Sequence, residues 1–395
     1  MYIFLIFDSY SELGPSIPII KSLKKKNIKP LIIFFNNNIL KDINKSNDLI
    51  SFIKENTHII SINNIFSFFK FKFTYLKHIF NLNSYRTFKQ NFFIEIFANN
   101  KSNIFTTEPL KFTLSQIKNL RNCSLYIYPH AFTIKTTKYD KYRNIDINNF
   151  YKKLKTKYKK LESLGTNVKF LVSSKDEEKY HSKFLPKNID IKNIGNLRFP
   201  ILKNFSKTIK FNKKKFRVLI ILGKSFYISE KAFNNFLSKF STFSNKNSIF
   251  IDYKLHPRDI KKQENLNYFN HTYFNKVDGI LSNILKDYSL VIVNSKTSSI
   301  FEVLSFKLPV FMYYIRSNKS ENRQFEYKFG NKITSLFSRY GLVDDFSNFD
   351  ILLKNVIKMD NNKSYKYKIL HKQIYNYNKY FNDDNDITIN KLLDI

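Results

Sequence analysis

Cysteine occurs once, at Cys123, tryptophan is absent, and glycine and proline number only 7 and 9 among 395 residues. A single thiol excludes an intrachain disulfide and a cysteine-based zinc site, and it suits a reducing compartment. Neither G-x-G-x-x-G nor G-x-x-x-x-G-K-[ST] occurs, which argues against the common dinucleotide and P-loop sites. No apolar run reaches the roughly 20 residues of a membrane span. The most apolar stretch, 59–80, is broken by Lys70, Lys72, Lys77 and His78. The opening MYIFLIFDSY lacks the basic flank of a secretion signal, so a cytoplasmic chain is expected. Acidic residues are scarce as well, 31 against 67 Lys+Arg, for a formal net charge of +36. The enriched types (Lys, Asn, Ile, Phe, Tyr) all have AT-rich codons, so codon bias explains much of this charge. The remainder fits attraction to an anionic membrane face or an anionic substrate. The lysines are spread along the whole chain rather than gathered in one segment, which disfavours nucleic acid as the partner.

What is present suffices for two cores: the chain is 43% hydrophobic and 17% aromatic, and its length exceeds one typical domain. YIFLIF, the turn-forming DSYSELGPS, the helical pattern IPIIKSLKKKN and LIIFF read as the start of a parallel βαβ unit. Apolar runs recur at SLYIY and VKFLVSS. After Gly195 the pattern restarts, with strands at RVLIILG, SIFIDYKL and SLVIVNS alternating with helical segments. The expected fold class is α/β, two Rossmann-like doubly wound domains facing a cleft, with ligand at the carboxyl ends of the strands. The expected limits are 1–195, 196–364 and a helical tail, 365–395, packing back on the first domain. No internal repeat is visible.

Three segments carry chemistry. Lys254-Leu255-His256-Pro257-Arg258 follows the strand SIFIDY, and Pro257 stops the strand there. Lys254, His256 and Arg258 are suited to meet a phosphate with charge and directed donors; the plain alternative is a surface loop with an incidental histidine. Asn294-Ser295-Lys296-Thr297-Ser298-Ser299-Ile300-Phe301-Glu302 follows SLVIV. Ser298 and Ser299 can present donors to an anion at a strand-to-helix turn, and Glu302 can reach ribose hydroxyls; ordinary N-capping would give the same local sequence. Tyr128-Pro129-His130 follows SLYIY, and His130 has the titration range of a general base. Asp8 and Glu12, in the first strand-to-helix turn beside Gly14, are the reserve choice for that base.

Together these segments resemble the CDP-glycerol glycerophosphotransferases of teichoic acid synthesis and related capsule and surface-carbohydrate transferases. The resemblance lies in a histidine with a lysine five residues on (His130, Lys135), then Lys254-Leu255-His256-Pro257, then Ser298-Ser299-x-Phe301-Glu302 with Pro309 beyond. Bacterial sialyltransferases are similar in pairing a His-Pro motif with a serine motif around CMP phosphate. Gly195-Asn196-Leu197-Arg198 resembles the Gly-Asn-Pro-Arg that opens the second domain in related proteins. The chain departs at Ala131, Leu197 and Lys307, where glycine, proline and glycine are usual.

The resemblance implies the two-domain GT-B fold. It further implies a glycosyltransferase or glycerophosphotransferase-like enzyme that takes a CMP- or CDP-linked donor without a metal or other cofactor. The acceptor would be a lipid-linked or polysaccharide chain at the inner face of the cell membrane. In this reading His130 takes the acceptor proton, Lys135 is a further candidate site residue, and His256, Lys254, Arg258, Ser298 and Ser299 steady the departing phosphate. A UDP-sugar 2-epimerase of the same fold and a basic nucleic-acid-binding protein are the alternatives. Asp384-Asn385-Asp386 matches an Asp-x-Asp metal motif but sits in a polar, acidic tail and reads as solvated. The alternating aromatics and lysines of 68–77 suit a membrane interface or, equally, a half-buried segment.

Overall fold

The computed structural model describes residues 1–6, 12–35, 47–61, 102–107, 123–128, 159, 168–183, 185–196, 215–222, 230–255, 271–279, 281–294, 297–313, 326–329 and 332–381. His130, Lys135, His256, Arg258 and Asp8 lie outside these residues, as do 68–77 and 384–386. The chain divides into two compact units. One comprises Met1–Ile134, Asn148–Pro200 and Phe381–Ile395; the other comprises Lys135–Ile147 and Ile201–Tyr380.

The first unit holds β1 (Tyr2–Ile6), α1 (Ser16–Lys25), β2 (Leu31–Phe34), α2 (Asn47–Asn56), β3 (His58–Ser61), β4 (Asn103–Thr106), β5 (Ser124–Ile127), β6 (Val168–Val172), α3 (Lys175–His181) and β7 (Asp190–Asn193). The seven strands form one parallel sheet in the order β3-β2-β1-β4-β5-β6-β7. β1 and β2 are continuous apolar runs because a parallel sheet carries helices on both faces and leaves neither side of a strand wet. Register aligns Phe4 with Phe105 and Phe105 with Tyr126. Their rings stack at 4.7 and 4.5 Å, a ladder across the three central strands. In α1 the buried Ile19, Ile20 and Leu23 recur at helical spacing and turn one stripe to the sheet. Pro18 falls in the first turn, where its missing N–H leaves no bond unmade. The helix ends at Asn27, whose φ of 57° closes a Schellman turn through Ile28 N–H to the Leu23 carbonyl at 3.0 Å.

The second unit holds β8 (Arg217–Ile221), α4 (Glu230–Asn247), β9 (Phe250–Lys254), β10 (Phe274–Lys276), α5 (Leu281–Ile284), β11 (Leu290–Val293), α6 (Ser299–Ser305), β12 (Val310–Tyr313), β13 (Glu326–Phe329), β14 (Lys332–Ser335), α7 (Leu336–Arg339), β15 (Asp344–Phe346), α8 (Phe349–Asn361) and α9 (Lys363–Phe381). Six strands make a second parallel sheet, β10-β9-β8-β11-β12-β15, and β13 and β14 form a separate antiparallel pair. Phe236, Phe240 and Phe349 pack over its core with ring centroids 4.9–6.2 Å apart. Asn348 caps α8 by accepting from Asp350 N–H at 2.8 Å and Ile351 N–H at 3.1 Å. Gln373 of α9 clasps the start of β12: its amide oxygen accepts from Val310 N–H and its amide nitrogen donates to Val310 carbonyl. Among the described residues no helix is long and apolar enough to cross a membrane.

One buried group gives the first unit a definite acid sensitivity. His181, at the end of α3, packs on Phe170 at 4.6 Å, and burial pushes its pKa down to about 4. The unfolded chain protonates this ring near pH 6.5, whereas the folded unit keeps it neutral until about pH 4. Its stability is therefore intact above 6.5 and lost as the pH falls to 4, by about 3 kcal/mol. Urea unfolding between these limits should show that slope, and His181→Phe should remove most of it. Parallel slopes in both proteins would mean that the ring charges in place.

Candidate functional site

The sheet of the second unit delivers its strand ends in one row. Register pairs Ile221 of β8 with Lys254 of β9 on one side and with Val293 of β11 on the other. With neighbouring strands about 4.8 Å apart, Lys254 and Val293 stand roughly 10 Å from each other across β8. The strand order reverses between β8 and β11, since β9 lies on one side of β8 and β11 on the other, and ligands of doubly wound sheets bind at such reversals. Lys254 closes a strand whose Ile251, Asp252 and Tyr253 are buried, so its side chain is the first free to reach the edge.

Lys254 is half-buried there and donates from Nζ to the Gly279 carbonyl at 2.5 Å. Burial lowers its pKa below the ordinary lysine range; the Asp278 and Glu302 carboxylates oppose that shift and Lys276 reinforces it. Glu302 comes from α6, on the far side of β8. Two of the residues singled out from separate segments, Lys254 and Glu302, thus act on each other electrostatically. In α6 the residues Ile300, Phe301, Val303 and Leu304 are buried, which leaves Glu302 on the open side of the helix.

The serine turn is arranged differently from a simple cap. Ser298 stands at the N-cap position with helical backbone angles and makes no side-chain capping bond. Thr297 does the local work: its Oγ1 accepts from Ser299 N–H at 3.2 Å and donates to Ser299 Oγ at 3.1 Å. Lys276, Asp278 and Gly279 also belong to this edge, and no motif pointed to them. The available signal was an Asp-Gly pair after a short apolar run, in a chain with only 7 glycines.

In the first unit the corresponding edge carries a buried polar group. Glu12 is buried beside α1, and Ser16 Oγ lies 2.6 Å from the Tyr128 hydroxyl and 3.4 Å from the Glu12 carbonyl that accepts from it. Burial drives the Tyr128 phenol well above its usual pKa; the Ser16 hydrogen bond opposes the shift and the Glu12 charge adds to it. Tyr128 directly follows β5, two residues before His130 in sequence, with its N–H on the Thr106 carbonyl at 3.0 Å. Thr107, at the end of β4, is buried with its Oγ1 unpartnered. Among the described residues no cluster of three or more His, Cys, Asp or Glu is placed to hold a metal ion.

No protein-family model and no curated protein matches the chain in sequence. Solved structures match it in fold along nearly its whole length. The glycotransferase of kitacinnamycin is 10% identical with a TM-score of 0.56, over 100% of this chain and 98% of that one. The UDP-GlcNAc 2-epimerase from Methanocaldococcus jannaschii is 14% identical with a TM-score of 0.54, over 95% and 100%. S. aureus MnaA, solved with UDP, is 12% identical with a TM-score of 0.54, over 100% and 95%. At such identities the likeness concerns the fold, and it defines the class: a mixed α/β chain with two parallel sheets, matching the GT-B glycosyltransferases and epimerases.

The end of α6 explains one departure noted in the sequence. Lys307 has a φ of 57°, with its N–H on the Leu304 carbonyl at 2.9 Å and the Leu308 N–H on the Val303 carbonyl at 3.3 Å. This is a Schellman turn, whose left-handed position favours glycine because a Cβ is crowded there. Lys307→Gly should stabilise the second unit by about 0.5–1 kcal/mol in denaturant titration, the relief of strain outweighing the entropy of the freer chain. A destabilised variant would show that the lysine side chain makes contacts worth more than the strain.

Proposed function

We propose that this chain is a transferase that moves a glycosyl or polyol-phosphate group from a CMP- or CDP-linked donor to a surface polysaccharide or teichoic-acid-like acceptor. The observation that carries the reading is the electrostatic coupling of Lys254 and Glu302 at the reversal of the second sheet. A cation for phosphate and a carboxylate for ribose hydroxyls are the two groups a nucleotide diphosphate needs at one edge. The fold shared with glycosyltransferases supports it. In this reading 1–195 forms the acceptor side, 196–364 the donor side and 365–395 a helical tail.

His130, following Tyr128, removes the proton from the acceptor hydroxyl as its oxygen attacks the activated carbon or phosphorus. The bond to the nucleotide phosphate breaks, and the charge that grows on that phosphate is met by Lys254, His256, Arg258 and the Ser298-Ser299 turn. Glu302 holds the ribose, no metal takes part, and Glu12 or Asp8 is the reserve base. The enzyme works in the cytoplasm at the inner face of the membrane, where a lipid-linked acceptor is presented. A second reading, a UDP-sugar 2-epimerase, is favoured by the fold likeness to the M. jannaschii epimerase; it needs no acceptor.

Calorimetry with CMP, CDP and UDP separates the readings. Micromolar binding of cytidine nucleotides, weakened at least about tenfold in His256→Ala, a loss of about 1.4 kcal/mol, is the expected result. With donor and acceptor in hand, His130→Ala should lower kcat by about a hundredfold or more with little change in donor KM. Selective UDP binding would turn the assignment to the epimerase, and no nucleotide binding would end both.

A further inference from the structure

The turn after β10 lies outside every motif from which the site was read, yet it grips the lysine at the site's centre. Val277 N–H bonds the Tyr253 carbonyl at 3.0 Å, which carries the chain past the end of β9. Asp278 follows, 3.7 Å from Lys276 across its carboxylate and largely exposed. Gly279 then takes a φ of +111°, a conformation open to glycine and strained for any residue with a Cβ. Its carbonyl accepts from Lys254 Nζ, 2.5 Å away. A built Cβ at Gly279 would meet only Ile284 at 3.8 Å, so the demand for glycine comes from backbone angle and not from crowding.

The chemistry of the grip is suited to anion binding. An ammonium has three N–H donors on a flexible stem. A neutral carbonyl fixes the direction of one of them without cancelling the charge, which leaves two for an incoming anion. Among the described residues the charged groups acting on Lys254 are Asp278 from this turn, Glu302 from α6 and Lys276 from β10. The two carboxylates oppose, in part, what burial and Lys276 do to the ammonium.

We propose that the Asp278-Gly279 turn is the positioning element of a phosphate site on Lys254, for the diphosphate of a nucleotide. The Gly279 carbonyl sets the direction of the ammonium, and Asp278 with Glu302 keeps it charged. The inference rests on the donor-binding reading above and extends it to residues outside the family-like motifs.

Calorimetric titration of the full chain with CDP, from about pH 7 to about pH 10, tests it, because the nucleotide's own phosphates are fully ionised above their pKa near 6. Wild-type affinity should fall along an alkaline limb as Lys254 loses its proton. Lys254→Arg should bind with that limb flattened, since a guanidinium stays charged throughout. Asp278→Asn, an isosteric change at an exposed position, should move the limb down by about half a pH unit or more. Gly279→Ala, checked for folding by circular dichroism, should bind CDP about fivefold or more weakly at neutral pH, because the ammonium is no longer held. Wild-type binding with a limb that Asp278→Asn leaves in place overturns the inference while the donor reading stands. No binding of CDP or UDP by the wild type removes the donor reading and this inference with it.

Discussion

Everything at the candidate site depends on the burial of parallel strands on both faces. Such strands must be apolar along their length, as Leu31–Phe34 and Leu290–Val293 are, because helices cover each side. Polar side chains are therefore displaced to the strand ends. Since all six strands of the second sheet run one way, their carboxyl ends share one edge. Polar side chains gather there because the buried faces of the sheet cannot hold them.

That constraint also explains why residues far apart in sequence act on one another. Lys254 and Glu302 belong to different βα units, separated by β8, and the reversal of strand order between β8 and β11 opens the sheet edge on which both stand. The Lys254 ammonium sits in a half-buried place that disfavours its charge, and surrounding carboxylates and a backbone carbonyl compensate. A lysine held in this balance is sensitive to its neighbours, which is a property of functional edges more often than of solvated surfaces. The first unit shows a related economy: Glu12, Ser16 and Tyr128 bury their polar atoms against each other at the strand ends, where the apolar ladder of Phe4, Phe105 and Tyr126 gives way.

Much of the architecture was legible in the residues. The runs YIFLIF, LIIFF, RVLIILG, SIFIDYKL and SLVIVNS are long and apolar enough to declare themselves as buried strands, and each became one. The four-residue strands β3, β4 and β7 were not, because His58–Ser61, Asn103–Thr106 and Asp190–Asn193 are too short and too mixed to stand out from loops. Their identity comes from the neighbour that pairs with them. The β13–β14 pair was hidden for the same reason. Among the candidate residues, Lys254, Ser298, Ser299 and Glu302 were singled out by motif chemistry. Asp278 and Gly279 were not, since nothing in the stretch around them names the lysine they serve.

The sequence by itself determined which segments must be buried and which residues can carry charge to a strand end, because hydrophobic runs and turn residues act locally. Tertiary structure alone decided that Glu302 acts on Lys254 across β8, that the side chain of Thr297 and not that of Ser298 bonds the start of α6, and that Lys307 bears the left-handed backbone of a Schellman turn. These follow from strand order, register and helix-end geometry. Hydrogen bonds between distant segments fix those features, and no local pattern encodes them.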